Sequence, residues 1–533
     1  MRRIPLFVGS AVLLSPLLLA GAGQASAATS SLTVTTLGRD GKTAVSNKPQ
    51  AVNLSTHQVY VLTSGKAKTL PAGGYDVLVD IADAHDGRET IGAVKVTVSG
   101  ATKKTVDARN GHLVKLSLSS APSTSGGLKA TYIRDDLGNV CLSDSSGVVA
   151  NVQGSASGGF LYVLPGTQSA LEFAWASVWQ PLRNTHGTVY MVAGHHTEGV
   201  PSGVTAAYSL SKLAKVEVEG RRGPTTSTDA DFSLYQRLTG PCDINDPVGE
   251  PSGSGTLPYT FTAYVPAGSW QVDELAGEDE IADDFRAYAA GSTHTLVVNH
   301  AVWGPYNELP DVAYGSLSVN LVQMFVDPTL YSSVVGDANP GAKVSVQLAT
   351  SGKTLLSKSY TTPYGDSTAG ANVALPGPGW YTLTESAKRY SQGYSVPSGT
   401  LSTQATLNLR FHVADPSAYT QVPDYLTRFT PAGLNTHEQA KPSSTTTVAL
   451  TPQRTKPIDT AETQPSDAVA KVQAWYSTDG GSTWHSVSVK HTGTSWSAAV
   501  KNPKTGAVSL RSEVTDAQGD TATTTVVRAY GIS

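Results

Sequence analysis

The sequence predicts an all-β protein made of tandem antiparallel β-sandwich domains. Apolar and polar residues alternate with a period of two in many short segments, among them 31–36, 76–81, 93–98, 114–118, 343–348, 405–411 and 508–514. Gly, Asn, Asp and Pro separate these segments at short intervals. Long patterns with the 3.6-residue period of a helix are nearly absent, so the strands should pack as sandwiches.

The composition narrows the function classes. The chain has 533 residues, of which 38 are basic and 42 acidic, and its formal net charge is −4. With 39% hydrophobic and 15% charged residues, it is not a charge-rich disordered chain. It also lacks the excess of Lys and Arg that is typical of nucleic-acid-binding proteins. We therefore expect several folded domains and no nucleic-acid partner.

Residues 1–27 are predicted to be a signal peptide. Arg2 and Arg3 precede an apolar stretch, and small residues follow it, so cleavage is expected between Ala27 and Ala28. An uncleaved membrane anchor is the alternative, but it would need a longer uninterrupted apolar run. We expect a secreted, extracellular protein that has no membrane contact once the signal is removed.

Composition shifts predict the domain boundaries. A Ser-, Pro- and Gly-rich stretch at 119–127 should end the first domain, and a Pro-, Thr- and Ser-rich segment should separate the last one. The predicted order is a β-sandwich, a larger β domain, a second β-sandwich, an extended linker and a C-terminal β-sandwich, at residues 28–119, 128–300, 301–413, 414–465 and 466–533.

A turn that leads into a strand occurs three times. Residues 70–75, 265–270 and 375–380 each place Pro and Gly before an aromatic residue. Pro presets the turn, and Gly adopts positive φ. We expect the three aromatic residues to face a core: Tyr75, Trp270 and Trp380.

The larger domain contains the two cysteines of the chain. An even pair in an oxidising compartment predicts one disulfide, Cys141–Cys242. Two separate buried thiols are the alternative. Without clustered histidines beside them, the cysteines do not predict a zinc site.

No complete catalytic motif is present. His186-Gly187-Thr188 resembles the histidine motif of subtilisin-like peptidases, and Gly365-Asp366-Ser367 resembles the nucleophile region of chymotrypsin-like enzymes. The motifs that would supply their partners are missing, and a nucleophile needs a base and an orienting acid. We predict no catalytic residues and a protein that is not an enzyme.

Two clusters could ligate a metal. His186, His195 and His196 match no zinc spacing. The 273–284 segment is acidic, and calcium takes about six to eight oxygen ligands, but acidic runs are more often solvated. No metal and no cofactor is predicted, and calcium binding is left open for Asp273, Glu274, Glu278, Asp279, Glu280, Asp283 and Asp284.

The segment 477–484 matches the Asp-box pattern Ser-x-Asp-x-Gly-x-x-Trp through Ser477, Asp479, Gly481 and Trp484. In such a hairpin the Asp side chain caps a tight turn and the Trp packs beneath it. A single copy predicts a structural hairpin, with Trp484 largely buried. Core packing is likewise the preferred interpretation over sugar stacking for three other tryptophans, Trp175, Trp179 and Trp303.

An ordered series of short strings covers most of the chain. They are LTV at 32–34, LPAGGYDV at 70–77, TVDAR at 105–109, NHAVWGP at 299–305, FTP at 429–431, VSLR at 508–511 and RAYG at 528–531. Together they resemble the non-catalytic β-rich region that follows the peptidase domain in large secreted subtilisin-like serine peptidases of actinobacteria. The resemblance implies a set of accessory domains, of the immunoglobulin-like or carboxypeptidase-regulatory-like kind, without the peptidase domain.

These observations predict a secreted, non-enzymatic protein that binds an extracellular protein or polymer. Two alternatives are a hydrolase of unrecognised type, with its site in 128–300, and a partner or inhibitor of a related peptidase. A concave pocket with converging acids would favour the hydrolase. A flat aromatic face would favour binding of carbohydrate, and an open apolar strand edge would favour a protein partner.

Overall fold

The structure is a computed structural model that describes residues 30–533 except 45–46, 84–86, 123, 125–131, 169, 182–186, 226, 238–251, 277–278, 283–284, 306–309, 321–323, 330–341, 363–369, 392–394, 423–424 and 454–467. Four predictions concern residues outside the described ranges. They are the signal peptide with its cleavage site at Ala27 and Ala28, the second cysteine Cys242, and the motif residues His186 and Ser367.

The described residues confirm the all-β fold class, because strands and two short 3-10 turns make up all their regular structure. In the N-terminal part the strands are β1 (Ser31–Leu37), β2 (Asn47–Asn53), β3 (Val59–Val61), β4 (Ala67–Thr69), β5 (Gly73–Ala82), β6 (Glu89–Val98), β7 (Ala101–Asp107) and β8 (His112–Ser119). Strands β4–β1–β7 form a small sheet that packs on one face of β6–β5–β2.

The middle part contributes fourteen strands among the described residues. They are β9 (Tyr132–Asp144), β10 (Gly147–Ser157), β11 (Leu161–Leu164), β12 (Leu171–Pro181), β13 (Thr188–His196), β14 (Val204–Ser209), β15 (Ala214–Gly220), β16 (Asp229–Arg237), β17 (Ser252–Thr256), β18 (Tyr259–Val265), β19 (Gly268–Ala276), β20 (Asp279–Ala282), β21 (Arg286–Tyr288) and β22 (Thr293–Val298). Seven of them form the sheet β10–β9–β12–β13–β18–β15–β22, which packs against the sheet built on β16 and β19.

The sheets of these two parts are continuous. Strand β14 pairs in parallel with β8, and β11 pairs with both β6 and β8, in the order β14–β8–β11–β6–β5–β2–β3. Strands from both sides of the 119–127 stretch therefore share one sheet. A strand edge left unpaired exposes backbone N–H and C=O groups, and here β11 and β14 satisfy them.

The C-terminal part contains seventeen strands among the described residues. They are β23 (Asp311–Ala313), β24 (Ser316–Asn320), β25 (Ala342–Thr350), β26 (Lys353–Thr362), β27 (Gly370–Ala374), β28 (Gly379–Lys388), β29 (Gln404–Val413), β30 (Thr420–Gln421), β31 (Leu426–Pro431), β32 (Gln439–Ala440), β33 (Thr445–Gln453), β34 (Val469–Ser477), β35 (His485–Val487), β36 (Val489–Thr492), β37 (Ser495–Lys501), β38 (Gly506–Asp516) and β39 (Thr521–Ile532).

One nine-stranded sheet runs through this part, in the order β26–β25–β28–β29–β39–β38–β34–β35, with β32 beside β39. Its inner face carries two cores. Sheet β27–β24–β23–β30 covers the first core, which contains Trp303, Leu383 and Leu409, and sheet β31–β33–β37–β36 covers the second. The antiparallel pairing of β29 with β39 joins the two sandwiches side by side.

The segment 414–465 differs from the predicted extended linker. It contains β30, β31, β32 and β33, and β33 pairs with β31 and β37. In β33 the residues Thr446, Val448 and Leu450 are buried and alternate with exposed ones. Its threonines are β-branched and favour strands, so a Thr-rich composition was a poor guide to an open connector. Residues 454–467 lie outside the described ranges.

In the part of the chain that the structure describes, no helix combines the length and the apolar character needed to cross a membrane.

Candidate functional site

Exposed aromatic side chains gather at one end of the sandwich that contains β23–β29. Among the described residues, four large aromatic side chains are exposed, and three of them lie here: Tyr314 at 95%, Tyr419 at 52% and Trp380 at 37%. The exposed His412 lies beside Trp380, with 5.3 Å between the ring centroids. We call Tyr314, Trp380, His412 and Tyr419 the aromatic end.

Backbone hydrogen bonds hold three chain segments together at this end. The N–H of Gly315, in the β23–β24 turn, donates to the carbonyl of Pro416 at 2.7 Å. The N–H of Leu375 donates to the carbonyl of Gly315 at 2.8 Å. The turn carrying Tyr314, the corner before Trp380 and the loop carrying Tyr419 are therefore fixed relative to one another.

Tyr314 is placed by a tight hairpin turn. Ala313 pairs with Ser316, so the turn has two residues, Tyr314 and Gly315, with φ of 50° and 77°. Positive φ at both central residues is the type I′ geometry, for which Asn-Gly is the preferred pair. A side chain with a Cβ in this region costs about 1–2 kcal/mol. Because the ring is 95% exposed, its burial offsets almost none of that cost.

Trp380 points outward because the Pro-Gly turn before it is one residue longer than the related turns at 70–75 and 265–270. In the first two, the aromatic residue lies two positions after the glycine at which the strand begins, Gly73 or Gly268, and both Tyr75 and Trp270 are fully buried as predicted. The third strand begins at Gly379, so Tyr381 takes the inward position and is 1% exposed.

The prediction that Trp380 faces a core is therefore wrong. A shift of one residue moves a strand side chain to the opposite face. The capping contact shifts with it: the Tyr75 hydroxyl donates to Pro71 and the Trp270 indole to Pro266, whereas the Tyr381 hydroxyl donates to Gly377.

Charged groups surround the aromatic end. The guanidinium carbon of Arg410 lies 3.8 Å from the Trp380 ring centroid, which is a cation–π contact. Asp415 accepts the N–H of Ser417 at 2.9 Å and its hydroxyl at 2.7 Å. These bonds lower the pKa of Asp415, which is ionised at neutral pH. Aromatic rings within a rim of hydrogen-bonding groups can bind the apolar face of a sugar and its hydroxyls together.

The other tryptophans considered from the sequence lie in the interior. Trp179 is 3% exposed and Trp303 is fully buried, as predicted. Trp175 is half-buried beside Phe173, with ring centroids 5.5 Å apart. None of the three contributes to the aromatic end.

The two groups of residues weighed as metal ligands do not come together among the described residues. His195 and His196 are exposed at the end of β13. Glu274 is buried and accepts the hydroxyl of Tyr259 at 3.4 Å. The side chains of 277–284 are outside the described set, so calcium at 273–284 is still an open question. Across the described residues, no three His, Cys, Asp or Glu side chains form a group that could hold a metal ion.

The Asp-box hairpin satisfies its own polar groups. Asp479 Oδ1 accepts the Ser477 hydroxyl at 2.7 Å and the Thr483 N–H at 2.9 Å, and the Gly481 N–H donates to Ser477 Oγ at 2.9 Å. These hydrogen bonds lower the pKa of Asp479 to about 2. Trp484 is half-buried rather than largely buried.

Cys141 is buried on β9, at 2% exposure. It pairs across the sheet with Glu172 of β12. Its predicted partner Cys242 is outside the described residues, in the segment that follows β16, so the disulfide stays a prediction.

Comparisons with known proteins do not identify a family: no family model and no curated protein matches the chain. Among solved structures, the Bacillus anthracis TIE protein is 13% identical over 73% of this chain and 67% of that chain, with a TM-score of 0.13. A streptococcal ancillary pilin is 12% identical over 57% of this chain and 96% of its own, with a TM-score of 0.13.

A third match is Escherichia coli alpha-2-macroglobulin, activated by porcine elastase. It is 9% identical over 94% of this chain and 53% of its own, with a TM-score of 0.14. TM-scores of this size do not establish a common architecture, so function has to be argued from the site. The resemblance to peptidase accessory regions stays a prediction.

Proposed function

We propose that this chain is a secreted, non-enzymatic binding protein that holds an extracellular glycan at the aromatic end. The observation that carries the proposal is Tyr314, a large aromatic side chain that is 95% exposed on a left-handed turn residue. A non-glycine residue that adopts positive φ and adds no packing to the fold points to a function.

The surroundings of Tyr314 favour a glycan over an apolar ligand. The rings of Trp380 and Tyr419 lie at the same end, and each has a charged side chain beside it. The Tyr419 hydroxyl donates to Asp311 at 3.4 Å, and Arg410 lies over Trp380. Sugars present apolar C–H faces and a rim of hydroxyls, which this mixture of rings, carboxylates and guanidinium matches.

The proposal is tested by affinity electrophoresis of the full chain through gels that contain a panel of soluble polysaccharides. We expect at least one polysaccharide to retard the protein, and Tyr314→Ala or Trp380→Ala to abolish most of the retardation. Phe160→Ala is the matched control, because Phe160 is an exposed aromatic residue, 42% accessible, that lies between β10 and β11 in the middle part of the chain.

Equal retardation of Tyr314→Ala and the wild type would exclude the aromatic end as the binding site. Retardation lost equally in Phe160→Ala would show a nonspecific aromatic effect. Release of reducing sugar when the protein is incubated with the same polysaccharides would contradict the non-enzymatic part of the proposal.

A further inference from the structure

The nine-stranded sheet has one face on its two cores and the opposite face toward solvent. We call the solvent side the outer face. Inner residues such as Leu383, Leu409 and Val514 are buried, and their sequence neighbours on the same strands are exposed or half-buried. The outer face starts at the aromatic end, with Trp380 on β28 and His412 on β29, and continues to the Asp-box hairpin after β34.

Polar side chains cover this face in rows that cross both sandwiches. One row, defined by the pairing of adjacent strands, consists of Ser345, Ser386, Thr406, Thr525, Arg511 and Trp475. In the next row the Asn408 amide donates to the Thr384 hydroxyl at 2.7 Å. Hydroxyl and amide groups in flat rows can form hydrogen bonds with sugar hydroxyls along an extended chain.

The outer face is basic although the whole chain has a net charge of −4. Its described strand positions hold one acid, Glu513, and five cations, which are Lys343, Lys388, Arg410, Lys471 and Arg511. None of the five forms an ion pair within the described part of the chain. Five cations against one acid on a solvent-facing surface favour an anionic ligand.

Two further contacts indicate that the cations serve binding. Lys343 and Lys388 are direct cross-strand partners, and like charges at such positions destabilise a sheet. Arg511 donates from Nε to the Thr525 hydroxyl at 3.2 Å, with its guanidinium carbon 4.0 Å from the Trp484 ring centroid. Stacking fixes the plane of the guanidinium, which favours bidentate recognition of a carboxylate.

We propose that an extended polysaccharide bearing carboxylates lies diagonally across the outer face, from Lys343 and Lys388 on β25 and β28 to Lys471 at the opposite strand ends on β34. The proposal rests on the proposed function for the class of ligand and adds its charge and its track. Lys388 and Lys471 are four strand spacings apart across the sheet, about 19 Å, and six residues apart along the strands, about 20 Å, so the diagonal between them accommodates several sugar units. Single-stranded nucleic acid is less favoured, because hydroxyl and amide groups outnumber cations on this surface.

The test uses the full chain and biolayer interferometry with two immobilised probes, polygalacturonic acid and its fully methyl-esterified form. Esterification removes the negative charges and keeps the sugar backbone. We expect binding to the acid form, which weakens as NaCl is raised, and binding at least about tenfold weaker to the ester. Lys343→Gln/Lys388→Gln and, separately, Lys471→Gln should each weaken binding to the acid several-fold.

The matched control is Lys66→Gln/Lys115→Gln, which changes the net charge equally at exposed lysines of the N-terminal part. Equal loss in this control, or equal binding of acid and ester, would overturn the inference. Complete displacement of polygalacturonic acid by oligo(dT), at an equal concentration of negative charge, would also overturn the inference, in favour of nucleic acid. A thermal melt of each variant checks folding, and Lys343→Gln/Lys388→Gln should melt no lower than the wild type because a repulsion is removed.

Tyr314→Ala separates this inference from the proposed function. If the lysine variants weaken binding and Tyr314→Ala does not, the outer face binds the glycan and the aromatic end does not. If Tyr314→Ala alone weakens binding, the aromatic end stands and the track across the sheet is wrong. If neither probe binds, the charged glycan is wrong, and the polysaccharide panel decides the proposed function by itself.

Discussion

Glu89→Gln should make the protein more stable at neutral pH, and the gain should grow with pH. Glu89 lies on β6 at 8% exposure, where the sheet of the N-terminal part packs against β10. Its carboxylate accepts the N–H of Ser155 at 2.7 Å, and a Cβ added at Gly154 would lie 2.9 Å from Glu89 Oε1. Burial, followed by the neighbouring carboxyl of Asp80, raises the pKa of Glu89 from 4.5 to about 8.

The size of the effect follows from that pKa difference. The folded protein holds the proton more tightly than the unfolded chain, so stability falls as the pH rises from about 4.5 to about 8. At 1.36 kcal/mol per pH unit, the loss over this window is of the order of 4 kcal/mol. Gln keeps an acceptor for Ser155 and a donor for Asp80, as the protonated acid does, but it has no charge to bury.

Differential scanning calorimetry of the full chain from pH 5 to pH 8.5 measures this effect. The transition that contains the β10–β6 contact should melt at nearly the same temperature in Glu89→Gln and wild type at pH 5. It should melt roughly 10 °C higher in the variant at pH 8. Glu198→Gln, at an exposed loop position, is the control. Parallel melting temperatures of Glu89→Gln and wild type over the whole range would refute the reasoning.

Three further results are expected. Tyr314→Asn should raise the free energy of unfolding of its sandwich by about 1 kcal/mol, because Asn tolerates positive φ. The same variant should no longer be retarded by the polysaccharide. A lower melting temperature would show that Tyr314 supports the fold. The ionised Asp479 stabilises the fold above about pH 4, and this stabilisation is lost as the pH falls toward about 2. The melting temperatures of Asp479→Asn and wild type should therefore differ at neutral pH and converge in acid. Titration of the denatured, non-reduced protein with a thiol reagent should find no free thiol if Cys141 and Cys242 are bridged; two reactive thiols would exclude the disulfide.

The strand content could be predicted from the sequence because alternation is local. Segments such as 76–81 and 405–411 are strands in the structure, β5 and β29. The pairing of β14 with β8 and of β39 with β29 could not be predicted, since partners 90 or more residues apart leave no local pattern. Composition suggested breaks at 119–127 and 414–465, yet hydrogen bonding continues across the first and strands occupy much of the second.

The aromatic end was missed for two different reasons. Alignment of the three turns by their Pro predicts a buried Trp380, whereas the glycine at which each strand begins sets the register of that strand. Tyr314-Gly315 lies between two short alternating runs, at a place where Asn-Gly would predict a two-residue turn. An aromatic residue where such turns favour Asn would have marked the position.

The pairing of β8 with β11 and β14 determines how this protein can be divided. A fragment that ends near residue 119 would keep β8 but lose both of its neighbours, and six residues of β8, from Val114 to Ser119, would lose their partners in β14. An uncovered edge of that length invites pairing with another copy, which leads to aggregation. Limited proteolysis between residues 119 and 132 should therefore leave two pieces that stay associated, and the smallest well-behaved N-terminal fragment should extend past β22.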